Sequence, residues 1–165
     1  MLKRRIRGVV LWFMNHLLVG NRFWTFKRWI LNSIGISVGK GTRIVAPIKV
    51  GACGDLSIGE NCWIGKNCCI YGNASVFIGN NCDLAPDVSF ATGTHHIGTH
   101  NRRAGEGYCE QIQIGNGCWV GLRSMILSGV IIGDGTIIGA GAVVTKSFEN
   151  DVIVAGVPGR VIKKL

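Results

Sequence analysis

"IQIGNGCWVGLRSMILSGVIIGDGTIIGAGAVVTKS", residues 112–147, decides the fold. Bulky apolar residues fall at every sixth position: Ile114, Val120, Ile126, Ile132, Ile138 and Val144. Two positions before each stands a generally smaller residue: Ile112, Cys118, Ser124, Val130, Thr136 and Ala142. A period of six matches neither a helix nor an alternating strand. It matches a short strand followed by a corner, and three such units close a triangular coil of 18 residues. Coils of this kind stack by parallel pairing about 4.8 Å apart. The bulky residue fills the interior, the smaller one fits near the corner, and frequent glycine permits the turn.

The same phase runs upstream through Ile58, Ile64 and Ile70, then Ile78, Leu84 and Phe90. Val38, Ile44 and Val50 extend it further, giving fifteen units or five coils. The fold class expected is all-β, a parallel β-helix over residues 36–150. With 165 residues, 47% of them hydrophobic, the chain is long enough for one domain with its own core. Of the seven cysteines, Cys62, Cys68, Cys82 and Cys118 take the small inward position. Packing is the role expected of them, because a free thiol behaves as a small hydrophobe. No zinc-ligand spacing occurs. The odd cysteine count and the lack of a cleavable leader pattern point to the reducing cytoplasm.

The net charge is +9, and residues 1–31 hold seven cations (Lys3, Arg4, Arg5, Arg7, Arg22, Lys27 and Arg28) with no Asp or Glu. Residues 1–35 read as a basic, aromatic helical segment, too short and too broken by Asn15 and His16 to span a bilayer. Two readings stay open. The helix packs on the main domain, or residues 1–31 make a peripheral contact with the inner membrane surface. No nucleic-acid motif accompanies the charge, so nucleic acid is not an expected partner.

The six-residue phase stops at Phe90 and resumes at Ile114, which implies an insert of about 18 residues within 91–111. This insert, "ATGTHHIGTHNRRAGEGYCEQ", holds three of the four histidines together with Arg102, Arg103 and Glu106. A polar loop leaving a regular scaffold is where function concentrates. Zinc wants three fixed ligands, and one loop is a poor source for all of them. His95 and His100 match the late ligand pair of the γ-class carbonic anhydrases, but the upstream coils lack that family's third histidine. No metal is therefore expected. A histidine acting as acid or base is the other reading.

The run from Ile78 to Lys164 contains "TGTHHIG", "RRAGEG", "IGNGCWVG", "GAGAVVTK" and "AGVPGRVIK". In this combination the chain resembles the galactoside and maltose O-acetyltransferases. The resemblance implies a left-handed β-helix and acetyl-CoA as co-substrate. It makes His95 the general base, with Glu106 as its orienting partner and Asp83 as the alternative. CoA contacts fall on Trp119, Ala140, Thr145, Lys146, Arg160 and Lys163, with the 151–165 tail contributing to that site. Acceptor contacts fall on Asn67, Asp83 and Arg102, while His96 and His100 have no assigned chemistry. A homotrimer with active sites between subunits is also implied.

The departures concern the acceptor. The family's acceptor asparagine lands on Gly65, with Asn67 two residues away, and its N-terminal acceptor module is not recognisable in residues 1–35. A saccharide other than free galactoside or maltose is expected, such as a lipid-linked glycan or nascent surface polysaccharide. Two other readings stand beside this one: a serine or streptogramin-type acetyltransferase, and a non-catalytic β-helix that binds a partner.

Overall fold

The computed structural model describes residues 2–51 and 55–165, with side chains from Ile6 onward. Cys53 lies outside the described residues. The chain opens with two helices, α1 (Leu2–Leu17) and α2 (Trp24–Ser33). The first coil follows as β1 (Ser37–Val38), β2 (Arg43–Ile44) and β3 (Lys49–Val50). The second is β4 (Leu56–Ile58), β5 (Trp63–Ile64) and β6 (Cys69–Tyr71), and the third is β7 (Val76–Ile78), β8 (Asp83–Leu84) and β9 (Ser89–Ala91). Then β10 (Gly93–Ile97) and β11 (Ala104–Cys109) leave the repeat. The fourth coil is β12 (Ile112–Ile114), β13 (Trp119–Val120) and β14 (Met125–Leu127), and the fifth is β15 (Ile131–Ile132), β16 (Ile137–Ile138) and β17 (Val143–Val144). A partial sixth coil holds β18 (Val152–Ala155), against which β19 (Arg160–Lys164) folds back antiparallel.

The strands form the three faces of the expected parallel β-helix. The first face is β1-β4-β7-β12-β15, the second β2-β5-β8-β13-β16-β18-β19, and the third β3-β6-β9-β14-β17. Every sixth-position residue points inward, and Ile44, Ile64, Leu84, Val120 and Ile138 form one buried row down the second face. At the corners between first and second faces, Asn61 and Asn81 adopt left-handed φ values of 55° and 56°. Asparagine tolerates this region better than most residues. Beside these corners the coils approach closely. A Cβ at Gly79 would stand 2.7 Å from the Gly115 carbonyl carbon, so only glycine fits there.

The register corrects the sequence reading in one respect. Ser37, Ser57 and Phe77 pair in succession, so the first coils advance 20 residues and not 18. The 18-residue step appears later, from Gln113 to Ile131. The two extra residues of each early coil lie at the edge where the third face returns to the first. The hairpin leaves at that same edge.

The cysteines do more than pack. Thr42, Cys62, Cys82, Cys118 and Thr136 form one column, and each donates to a carbonyl of the next coil. Cys82 Sγ, for example, lies 3.0 Å from the Gly115 oxygen. Its hydrogen bond with Cys118 pushes its pKa up to about 11, and burial pushes Cys68 up to about 12. Both stay thiols at neutral pH, which suits a structural donor and not a nucleophile.

The helices cap the first coil. Asn15 Nδ2 donates to the Ile48 carbonyl at 2.7 Å and its Oδ1 accepts from Ile48 N–H at 3.0 Å, tying α1 to the prism. Lys27 of α2 is fully buried and donates to the carbonyls of Gly20 and Ile44. Burial lowers its pKa. No helix among the described residues is long and apolar enough to cross a membrane.

Candidate active site

The segment expected as an irregular loop is an ordered antiparallel hairpin. It is rooted at Thr92, which is fully buried. Thr92 Oγ1 donates to the Tyr71 carbonyl at 3.0 Å and accepts from Ala74 N–H at 3.2 Å. Its own carbonyl accepts from Glu110 N–H and from Ser128 Oγ at 2.8 Å. Thr92 thus ties the hairpin to the coils below and above. The sequence phase breaks here, so period counting had no signal for this role.

His95 faces Gly107 across the two strands. A Cβ at Gly107 would lie 3.3 Å from His95 Cε1, so the bare glycine gives the imidazole its seat. His95 Nδ1 lies 2.9 Å from the Gly105 carbonyl oxygen. A carbonyl only accepts, so Nδ1 carries the proton and Nε2 carries the lone pair. That is the tautomer a general base needs.

Neither carboxylate expected to orient His95 does so within the chain. Glu106 is exposed and makes no hydrogen bond or ion pair among the described residues; alternation along β11 turns it away from Gly105 and Gly107. The partner is instead the Gly105 backbone. Asp83 lies on the second face, in the middle of β5-β8-β13, and away from the hairpin edge. His96 points to the side opposite His95 and stacks on Tyr108, with ring centroids 4.3 Å apart. His100 sits in the hairpin turn. Arg102 is also in the turn, exposed, and makes no side-chain hydrogen bond or ion pair among the described residues.

The remaining expected residues fall into two groups. Thr145 and Lys146 follow β17 at the edge that carries the hairpin, and both are exposed. Trp119, 57% exposed, stands on the second face in a register row with Trp63, Asp83, Ile137, Ile153 and Lys163. Ala140 lies at the edge between the second and third faces, and Arg160 opens β19. Asn67 sits at that second edge with φ 60° and donates to Asp87 Oδ1 at 2.9 Å. Asp87 in turn meets Arg123 at 3.8 Å, so Asn67 belongs to a corner ladder. The chain therefore brings His95, Thr145 and Lys146 to one edge, and Asn67, Asp83, Trp119, Ala140, Arg160 and Lys163 to a different side.

Two clefts lie near the base of the prism, of about 340 and 250 Å³. The larger runs between α1 and the third face and is lined by Trp12, His16, Lys49 and Tyr71 among others. The smaller lies by the second face and is lined by Arg43, Trp63 and Asp83 among others. Neither includes a hairpin residue.

Comparison with known proteins agrees with the fold. The pattern described as "Bacterial transferase hexapeptide (six repeats)" matches residues 111–146, and "Hexapeptide repeat of succinyl-transferase" matches residues 55–85. A galactoside O-acetyltransferase of Escherichia coli is 35% identical over 82% of this chain and 67% of its own length. The next curated acetyltransferases are spanned over 54 to 62% of their length. The crystal structure of a maltose O-acetyltransferase from Clostridium difficile superposes with a TM-score of 0.83 at 31% identity, covering 99% of this chain and 86% of that one. A galactoside acetyltransferase in complex with coenzyme A gives a TM-score of 0.67 at 30% identity, covering 98% and 80%. The chain belongs to the hexapeptide-repeat, acetyl-CoA-dependent acyltransferases, in the group of the galactoside and maltose O-acetyltransferases.

Proposed function

We propose that the protein moves an acetyl group from acetyl-CoA to a saccharide hydroxyl in the cytoplasm, with His95 as general base. The observation that supports this most is the His95 tautomer. With Nδ1–H held by the Gly105 carbonyl, Nε2 is free to take the acceptor's hydroxyl proton. The hydroxyl oxygen then attacks the thioester carbonyl carbon. The tetrahedral intermediate collapses with cleavage of the C–S bond, and the imidazolium returns its proton to the departing CoA sulfur.

The division of the expected residues favours a homotrimer. One edge with His95, Thr145 and Lys146 set against the second face of a neighbouring copy would unite all of them at one site, and three such contacts close a ring. Trp119 is a large exposed group that such a neighbour would cover. Lys146, Arg160 and Lys163 suit the CoA phosphates. The cleft of about 250 Å³ pairs the ring of Trp63 with the carboxylate of Asp83. A flat apolar face beside a hydrogen-bond acceptor suits a sugar, so Asp83 is assigned to the acceptor. Arg102, in the hairpin turn, is a further candidate acceptor contact.

The test is thiol release from acetyl-CoA with a panel of mono- and polysaccharides, for wild type and His95→Ala. Release that depends on a sugar and disappears in the variant is expected. Equal rates for the two proteins would sink the proposal, and turnover confined to serine or an antibiotic would replace the acceptor.

A further inference from the structure

The cap buries what a soluble helix exposes and exposes what it buries. On α1, Leu11 and Met14 face the prism, while Val9, Phe13 and Leu17 stand on the other side, 69, 55 and 60% exposed. On α2 the inward residues include a lysine, Lys27, while Phe26 and Trp29 stack on the outer side with ring centroids 5.8 Å apart. A helix that faces water carries its charges outward and its rings inward. Here the outer surfaces carry rings and aliphatic groups, with Arg22 and Arg28 beside those of α2.

The charges narrow down what covers this surface. Neither helix has an acidic residue in its first turn, and α1 begins with cations, the wrong sign for the positive end of a helix dipole. An anionic surface offsets that cost. A second copy does not, because it would set two segments of seven cations and no acid against each other. A transmembrane role does not fit either, since α1 has 16 residues and α2 has 10, against the ~20 a span requires. Tryptophans beside cations are what the headgroup layer of a bilayer accommodates.

We infer that the outer face of α1 and α2 docks on an anionic lipid surface, with both helices lying in the plane of the headgroups. This goes beyond acetyl transfer and is tested without it. It also gives the hairpin a height. His95 follows the third coil, two coil steps or about 10 Å from the first.

The experiment is sedimentation of the full chain with vesicles of phosphatidylcholine alone or of equal parts phosphatidylcholine and phosphatidylglycerol. Binding to the mixed vesicles, weakened by salt, is expected. Arg22→Gln should weaken that binding by about fivefold and leave the neutral vesicles unaffected. Phe13→Ser combined with Trp29→Ser should weaken it by about tenfold or more with the thermal midpoint unchanged, because both rings are already exposed. If that double variant fails to fold, quenching of the wild-type tryptophan fluorescence by brominated lipid gives the answer: quenching supports docking and its absence overturns it. Equal, negligible sedimentation with both vesicle types would also overturn it. So would a double variant that binds vesicles normally but forms smaller particles in analytical ultracentrifugation, since the face would then cover another copy.

Discussion

The hairpin of β10 and β11 and the coils on either side are both β-structure, yet they are held by opposite means. In the coils a strand is two or three residues long and pairs in parallel above and below, so its stability comes from an interior of stacked aliphatic side chains. In the hairpin the strands reach five and six residues, pair only with each other, and bury no side chain. Its order comes from backbone pairing and from the anchor at Thr92. The coils thus hold the fold and leave the hairpin free to present chemistry. This division can be broken by substitutions placed only a few residues apart.

Phe90→Ala should have the largest effect. Phe90 is fully buried and is the last interior residue before the hairpin. Removing its ring leaves a cavity in a stack that cannot collapse, at a cost of about 3–5 kcal/mol. Thermal unfolding would register this as a strongly lowered midpoint. Five residues later, His95→Ala should leave that midpoint in place, because the imidazole is exposed. Loss of a general base should instead slow acetyl transfer by roughly 10²–10⁴-fold. If His95→Ala destabilised the protein as much as Phe90→Ala, the hairpin would be part of the core and the comparison would fail.

The same contrast governs what could be read from the sequence. The period of six places Ile64, Leu84, Val120 and Ile138 inside before any coordinates exist, because stacking forces a bulky residue at every step. It also marks where the repeat stops. It says nothing about what fills the gap, since a hairpin exposed on both faces has no apolar alternation to betray its strands. The resemblance directs attention to His95, but the atom that holds it belongs to the Gly105 backbone, and backbone partners leave no trace in side-chain motifs. The 20-residue coils were legible in the eight-residue steps from Val50 to Ile58 and from Ile70 to Ile78, which a strict count of six passes over. The cap was the least legible part. Buried Lys27 and exposed Trp29 invert the usual assignment, and only packing against the Gly20 and Ile44 carbonyls explains the lysine.

A subtler change sharpens the comparison. Gly107→Ala adds a Cβ 3.3 Å from His95 Cε1 and should tilt the imidazole by a few tenths of an ångström. The position is exposed, so stability should hardly change. Catalysis is sensitive to such a displacement, and kcat should fall roughly tenfold while KM for acetyl-CoA holds. A changed KM with constant kcat would mean that Gly107 serves binding and not the seat of the base.

Glu106→Gln should have the smallest effect. Were Glu106 the orienting partner of His95, as the resemblance implies, removing its charge would free the imidazole and cost much of the rate. The hairpin register argues otherwise. Gly105 and Gly107 lie on the side of His95, and Glu106 between them points away without a partner among the described residues. The amide keeps the shape of the carboxylate and disturbs no hydrogen bond, so kcat should change by less than about twofold. A large loss with unchanged stability would mean that the carboxylate reaches a base in another copy of the chain. That outcome would move Glu106 from its own hairpin to the interface, and a rescue of Glu106→Gln by mixing with His95→Ala subunits would then identify which copy it serves.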